Sequence, residues 1–137
     1  MSYSKNVVIA SGVTTGGFEQ GPVTADVYSG TIVSRNEDGT FTPGNKGELF
    51  VVLEPMAGIA KTGHNKGTVV RVAPIVKPLV FNFILAVNLD VKTGYALYAD
   101  EHGFVTNIEV AGAQPVAYAR EDAVSTDANV QIAAAAQ

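Results

Sequence analysis

The chain has 137 residues, a formal net charge of −4, 47% apolar but only 16% charged residues, two histidines and neither cysteine nor tryptophan. Such a length supports one sizeable core, or two half-sized ones sharing an interface. Without cysteine there is no disulfide framework, thiolate nucleophile or cysteine-ligated zinc, and nine Lys and Arg scattered singly argue against nucleic-acid binding through phosphate neutralisation.

Val, Ile, Thr, Tyr and Phe recur in short runs punctuated by Gly, Pro, Asn and Asp, with almost no helical periodicity. The pattern predicts strands over residues 6–10, 24–34, 40–42, 49–54, 68–75, 80–89, 95–99, 104–108, 116–120 and 129–133. Turn chemistry separates them at Asp38-Gly39, Pro43-Gly44, Asn65-Lys66-Gly67 and His102-Gly103. The glycine-rich stretches 11–22 and 55–67 read as loops, and the AAAAQ tail, a composition that frays when free, as an end held in place by neighbours. The expected fold class is all-β, a small barrel or sandwich with little or no helix.

One segment is repeated. Residues 26–42 (DVYSGTIVSRNEDGTFT) and 90–106 (DVKTGYALYADEHGFVT) align without a gap at an offset of 64, pairing Asp26 with Asp90, Val27 with Val91, Gly30 with Gly94, Glu37 with Glu101, Gly39 with Gly103 and Thr42 with Thr106. Further on, 49–54 (LFVVLE) aligns with 115–120 (PVAYAR), and 69–73 (VVRVA) with 130–134 (VQIAA). The chain therefore divides into an N-terminal arm and loop (1–23), a first β-module (24–76) and a second β-module (77–137), together one compact unit. Gly30 and Gly94 fall at equivalent places, where a bulge or tight bend turns a barrel corner. Residues 73–78 (APIVKP) suit a stiff extended crossover between the halves. The apolar linking strand 79–89 (LVFNFILAVNL) sets Leu79, Phe81, Phe83, Leu85, Val87 and Leu89 on one face. It reads either as a central strand buried on both faces or as an arm against a neighbouring subunit. At 11 residues it falls short of the roughly 18 needed to span a bilayer. The N-terminal VVIA run is also shorter than a signal peptide's apolar region, so a protein with no membrane partner, made in a cytoplasm, is expected.

Chemistry-bearing motifs are sparse. Ser2-x-x-Lys5 with Lys-Thr-Gly at 61–63 and 92–94 mimics penicillin-recognising enzymes, but no Ser-Asp-Asn accompanies them. Residues 63–68 (GHNKGT) place Lys before Gly and a β-run after it, the wrong order for a phosphate loop. The carboxylate pairs Glu37-Asp38, Asp100-Glu101 and Glu121-Asp122 read as solvated turn residues, since neighbours along a strand face opposite ways. Neither His64 nor His102 has a second histidine at ligand spacing. The expectation is a non-enzymatic protein with no cofactor and no metal.

The repeated pattern of a turn-bounded strand, an acidic-glycine turn, an apolar strand and a V-x-[VI] strand, carried by residues 30–42, 49–54 and 69–73 and again by 94–106, 116–122 and 130–133, resembles tailed-bacteriophage capsid decoration (cement) proteins. The resemblance implies a β-rich cap on the outer capsid surface of a virion. It would bind the major capsid protein and neighbouring copies of itself as a dimer or trimer, bridging capsid subunits and stabilising the shell. Candidate contacts are Tyr3, Val7, Val8 and Phe18 on the arm and Met56, Ile59, Lys61 and His64 on the second loop. Glu121 and Asp122 stand on that loop's counterpart, and Phe81, Phe83 and Leu85 on the apolar segment, a candidate for the module interface or self-association. Alternatives are another phage virion part (tail, baseplate or fibre attachment) or a small-ligand or carbohydrate-binding β-domain. For the last, Tyr28, Tyr95, Tyr98 and Tyr118 are too dispersed to form an aromatic platform.

Overall fold

The computed structural model describes residues 8–11, 18–54 and 63–137, and among these there is no helix. Strand β1 (Ile9–Ser11) precedes two sets of seven. The first set is β2 (Glu19–Pro22), β3 (Val27–Tyr28), β4 (Ile32–Arg35), β5 (Phe41–Pro43), β6 (Leu49–Val52), β7 (Gly63–His64) and β8 (Val69–Pro74). The second is β9 (Val80–Leu85), β10 (Asp90–Val91), β11 (Ala96–Ala99), β12 (Val105–Thr106), β13 (Ala117–Ala119), β14 (Ala123–Val124) and β15 (Val130–Ala136).

The two sets have the same topology, strand for strand. In the second, β9, β12, β11, β13 and β15 lie side by side and β15 returns to β9, closing a five-stranded barrel with one parallel pair, β9–β12. In the first, β2, β8, β6, β4 and β5 form an antiparallel sheet that curls until Val23, just past β2, meets Phe41 of β5 in a parallel bridge. That bridge is the counterpart of the Leu85–Val105 pair. The ladders β3–β7 and β10–β14 are equivalent side pairs. The turns match too. Gly39 N donates to Asn36 O at 3.1 Å and Gly103 N to Asp100 O at 3.2 Å, both glycines lying at positive φ (87° and 84°) as a hairpin closed by a left-handed residue requires. Gly30 N donates to Val52 O at 2.7 Å and Gly94 N to Ala119 O at 2.8 Å.

Strand pairing corrects the outer parts of the sequence alignment by one residue. Ile32 faces Val51 while its counterpart Ala96 faces Tyr118, so Leu49 corresponds to Val116 and not Pro115. Val51 pairs with Ala73 and Tyr118 with Ala135, so Val69 corresponds to Gln131 and not Val130. A slip of one exchanges the two faces of a strand. Other boundaries move as well. Residues 19–22 are strand, so the first module begins at β2. The stretch 24–34 is two strands split by the Gly30 turn. Strand β9 ends at Leu85, before Asn88 at φ 63°. Residues 76–79 form a turn with a cis Lys77–Pro78 bond, Leu79 N donating to Val76 O at 3.1 Å, rather than an extended crossover. The alanine tail is the closing strand of the barrel, with Ala134 and Ala136 inside it.

The first module encloses Val23, Val27, Val33, Phe41, Phe50, Val52, Val70 and Val72. The second encloses Phe81, Phe83, Leu85, Leu97, Val105, Ala117, Ile132 and their neighbours. This second cluster also takes in Ile32, Val51, Leu53 and Ala73 from the outer face of β4, β6 and β8. The first sheet is thus buried on both sides, one side against the second barrel. Burying Ile, Val and Leu side chains there contributes ~1.5–3 kcal/mol each. Hydrogen bonds stitch the seam: Ile32 N donates to Gly103 O at 2.7 Å and the Asn45 side-chain Nδ2 to Ala99 O at 3.0 Å. Strand β1 lies along β9, and Val8 beside it donates its N–H to the Glu54 carboxylate at 3.0 Å and accepts from Asn82 N at 2.7 Å.

Candidate interaction surface

Of the residues singled out from sequence, Tyr3, Val7, Met56, Ile59 and Lys61 lie outside the described residues. Val8, Phe81, Phe83 and Leu85 have no exposed surface. Phe81, Phe83 and Leu85 share the cluster that binds the modules together, and closure of the barrel removes them from contact with another subunit. The alternating apolar face of residues 79–89 belongs to a strand buried on both sides, which a one-dimensional pattern cannot separate from an arm.

The remaining candidates are at the surface. Phe18 is exposed with the Arg71 guanidinium 5.7 Å above its ring. Half-buried His64 sits on β7 with Nε2 3.1 Å from Ser29 Oγ, while Ser29 donates its hydroxyl proton to Leu53 O at 3.1 Å. His64 Nε2 therefore donates to Ser29, and burial holds the imidazole below its ordinary pKa. Ser29 is buried with its proton engaged, so the pair is a structural staple, not a nucleophile and its base. Glu121 accepts from Ala133 N at 2.7 Å, anchoring the loop after β13. Asp122 accepts from Thr93 N at 2.8 Å and Thr93 Oγ1 at 3.0 Å; these bonds, with nearby Lys92, hold its carboxyl below the usual carboxylate range. Asp38 is likewise lowered by Thr40, whose Oγ1 and N donate at 2.6 and 3.1 Å. Asp38 thus closes its own turn, whereas Glu121 and Asp122 tie together segments distant in the chain.

What the sequence reasoning missed is an apolar row on the second module. Tyr118 projects outward from β13 between buried Ala117 and Ala119, 41% exposed, flanked across the strands by Ala96 and Ala135. Tyr95 (44% exposed) and Ile108 (64% exposed) lie on the same module. The signal was available as Ala-Tyr-Ala alternation, but it shows only an outward side chain, not an uncovered sheet face. Elsewhere, a cleft of about 510 Å³ opens between the modules, walled by Asn45, Leu49, Ile75, Gln114 and Val116, with Glu48 its one acidic side chain. Among the described residues no group of three His, Cys, Asp or Glu is placed to hold a metal ion.

No protein-family model matches the chain, and no curated protein matches it. Among solved structures, the chain is similar in fold to the crystal structure of the head fiber gp8.5 N base of bacteriophage phi29, with a TM-score of 0.56 and 16% sequence identity over 88% of this chain and 93% of that one.

Proposed function

We propose that this protein is a non-enzymatic structural component of a tailed-phage virion that binds the outside of the head, bridging major capsid subunits and stabilising the shell. The observation that carries the reading is the likeness just described, which spans both modules and nearly the whole of a phage head-fibre base. Composition supports it. A shell presents the same site many times, so modest contacts gain avidity from repetition, and a surface with few charges costs less to desolvate.

A second reading, the seat of a head fibre, is favoured by what that neighbour is. Co-sedimentation of the purified chain with heads assembled without it separates the two. The cement role predicts saturable binding at a fixed ratio to the major capsid protein and heads that resist heat longer. A fibre seat predicts sparse binding with unchanged head stability. No binding to expanded or unexpanded heads contradicts both.

A further inference from the structure

The seam between the modules is of one polarity. The outer face of β4, β6 and β8 in the first module meets the turn before β12 and the outer side of β9 in the second. Both surfaces have a counterpart in the same chain, because the modules repeat each other strand for strand, and among the described residues both counterparts are left exposed or half-exposed. Glycines mark all four. Gly30 and Gly103 are buried at the seam: a side chain on Gly30 would come within 2.8 Å of Asn82 O, and one on Gly103 would strike Ile32 O and Thr31 Cγ2. Their repeats Gly94 and Gly39 are exposed, and a side chain there would meet nothing within 4 Å.

We propose that these two uncovered surfaces bind each other between copies of this chain, so that the second module of one molecule docks head-to-tail on the first module of the next. On the second module the docking face is Tyr95, Ala96, Ile108, Tyr118, Arg120 and Ala135. Ala96, Tyr118, Arg120 and Ala135 occupy the positions of Ile32, Val51, Leu53 and Ala73 at the internal seam. On the first module it is the Asn36–Gly39 turn with Gln20 and Pro22, at the positions of Asp100–Gly103, Asn82 and Ile84. The occupant is a second copy because the equivalent face inside the chain is already covered by a copy of the same module.

The chemistry has changed in a way that suits a separable contact. Aliphatic Val51 and Leu53 are replaced by Tyr118 and Arg120, residue types that anchor protein interfaces while tolerating water. Among the described residues Arg120 is exposed and makes no ion pair, and the first-module surface carries the exposed acids Glu37 and Asp38. Tyr118 and Ile108 stand for the smaller Val51 and Gly44, and on the partner surface Pro22 stands for Ile84 and Gln20 for Asn82. A head-to-tail contact is heterologous, so copies form a ring if the rotation closes and a filament if it does not. The proposal is independent of the virion reading.

Sedimentation velocity of the full chain over a concentration series tests it, with two exposed-site variants, Tyr118→Glu on one face and Gln20→Arg on the other. The expected result is self-association of the parent chain and monomers for each variant alone. An equimolar mixture of the two variants should form dimers and nothing larger, since each keeps one intact surface. Circular dichroism and unchanged melting temperatures establish that the variants fold, and Ile108→Asp repeats the first test at a second position. A monomeric parent chain overturns the proposal, as does association that survives Tyr118→Glu and Ile108→Asp, or variants that stay monomeric when mixed.

Discussion

The two modules have one topology and two different interiors. Where Phe83 fills the second barrel, the first has Gly21. The vacated space is taken by Phe41, so that a side chain on Gly21 would stand 2.9 Å from its ring. Phe41 in turn corresponds to Val105, and Phe50, packed edge-on against Phe41 at 5.7 Å, corresponds to Ala117. Large and small have been exchanged between opposite walls while the backbone path is kept. The lesson is that a barrel of this size constrains total core volume and turn conformation more tightly than the identity of any inward residue. The modules also differ on their outsides: the first is covered on its β4–β6–β8 face, whereas among the described residues the equivalent face of the second is left exposed at Tyr118 and Arg120.

The comparison is broken most severely at the seam glycines. Gly103→Ala is expected to cost about 3–5 kcal/mol, because its Cβ would strike the backbone of the other module as well as strain a positive φ. The repeat-equivalent Gly39→Ala pays only the conformational term of about 1–2 kcal/mol. Chemical denaturation of the two variants checks this, and equal losses would mean that the seam is not packed as described. Next is the core exchange. Phe41→Val copies the second module's residue into the first and leaves unfilled the space beside Gly21, for an expected loss of about 2–4 kcal/mol. The smallest effect is electrostatic. Burial lowers the His64 pKa, so the folded state resists protonation and the unfolded state, near the ordinary 6.5, does not. Stability from this site is therefore complete above 6.5 and lost as pH falls from there through the folded pKa. Asp38 and Asp122 act in a separate window, beginning near their ordinary 3.8 and extending lower. Melting temperatures of the parent and His64→Gln between pH 7.5 and 5 should converge toward the acid end, and parallel curves would remove His64 as the cause.

Much of this architecture could be read from the chain, and the unread parts have physical reasons. The repeat was visible where left-handed turns demand glycine, at Gly30/Gly94 and Gly39/Gly103, because no other residue adopts those angles cheaply. It faded where the only constraint was inward bulk, which the exchange of Phe and Gly satisfies equally well. Loop length did the rest. The offset between equivalent residues rises from 64 at Phe41/Val105 to 67 at Leu49/Val116, then falls to 62 at Val69/Gln131. Strand β2 is not legible in the sequence, because Gly21 and Pro22 look like a loop until Phe41 is placed against them. The contact surface was the least legible. Buried Phe81 and Phe83 and exposed Tyr118 are all apolar residues in alternating runs, and only the closure of the barrel decides which of them meets solvent.

We propose that this chain belongs to the outside of a phage head. Quantitative mass spectrometry of purified virions, with heads and tails separated before analysis, tests it most directly. The account predicts the chain in the head fraction at a constant copy number, removed by mild surface proteolysis while the packaged genome stays protected. Absence from purified particles, or presence in tails alone, would contradict it.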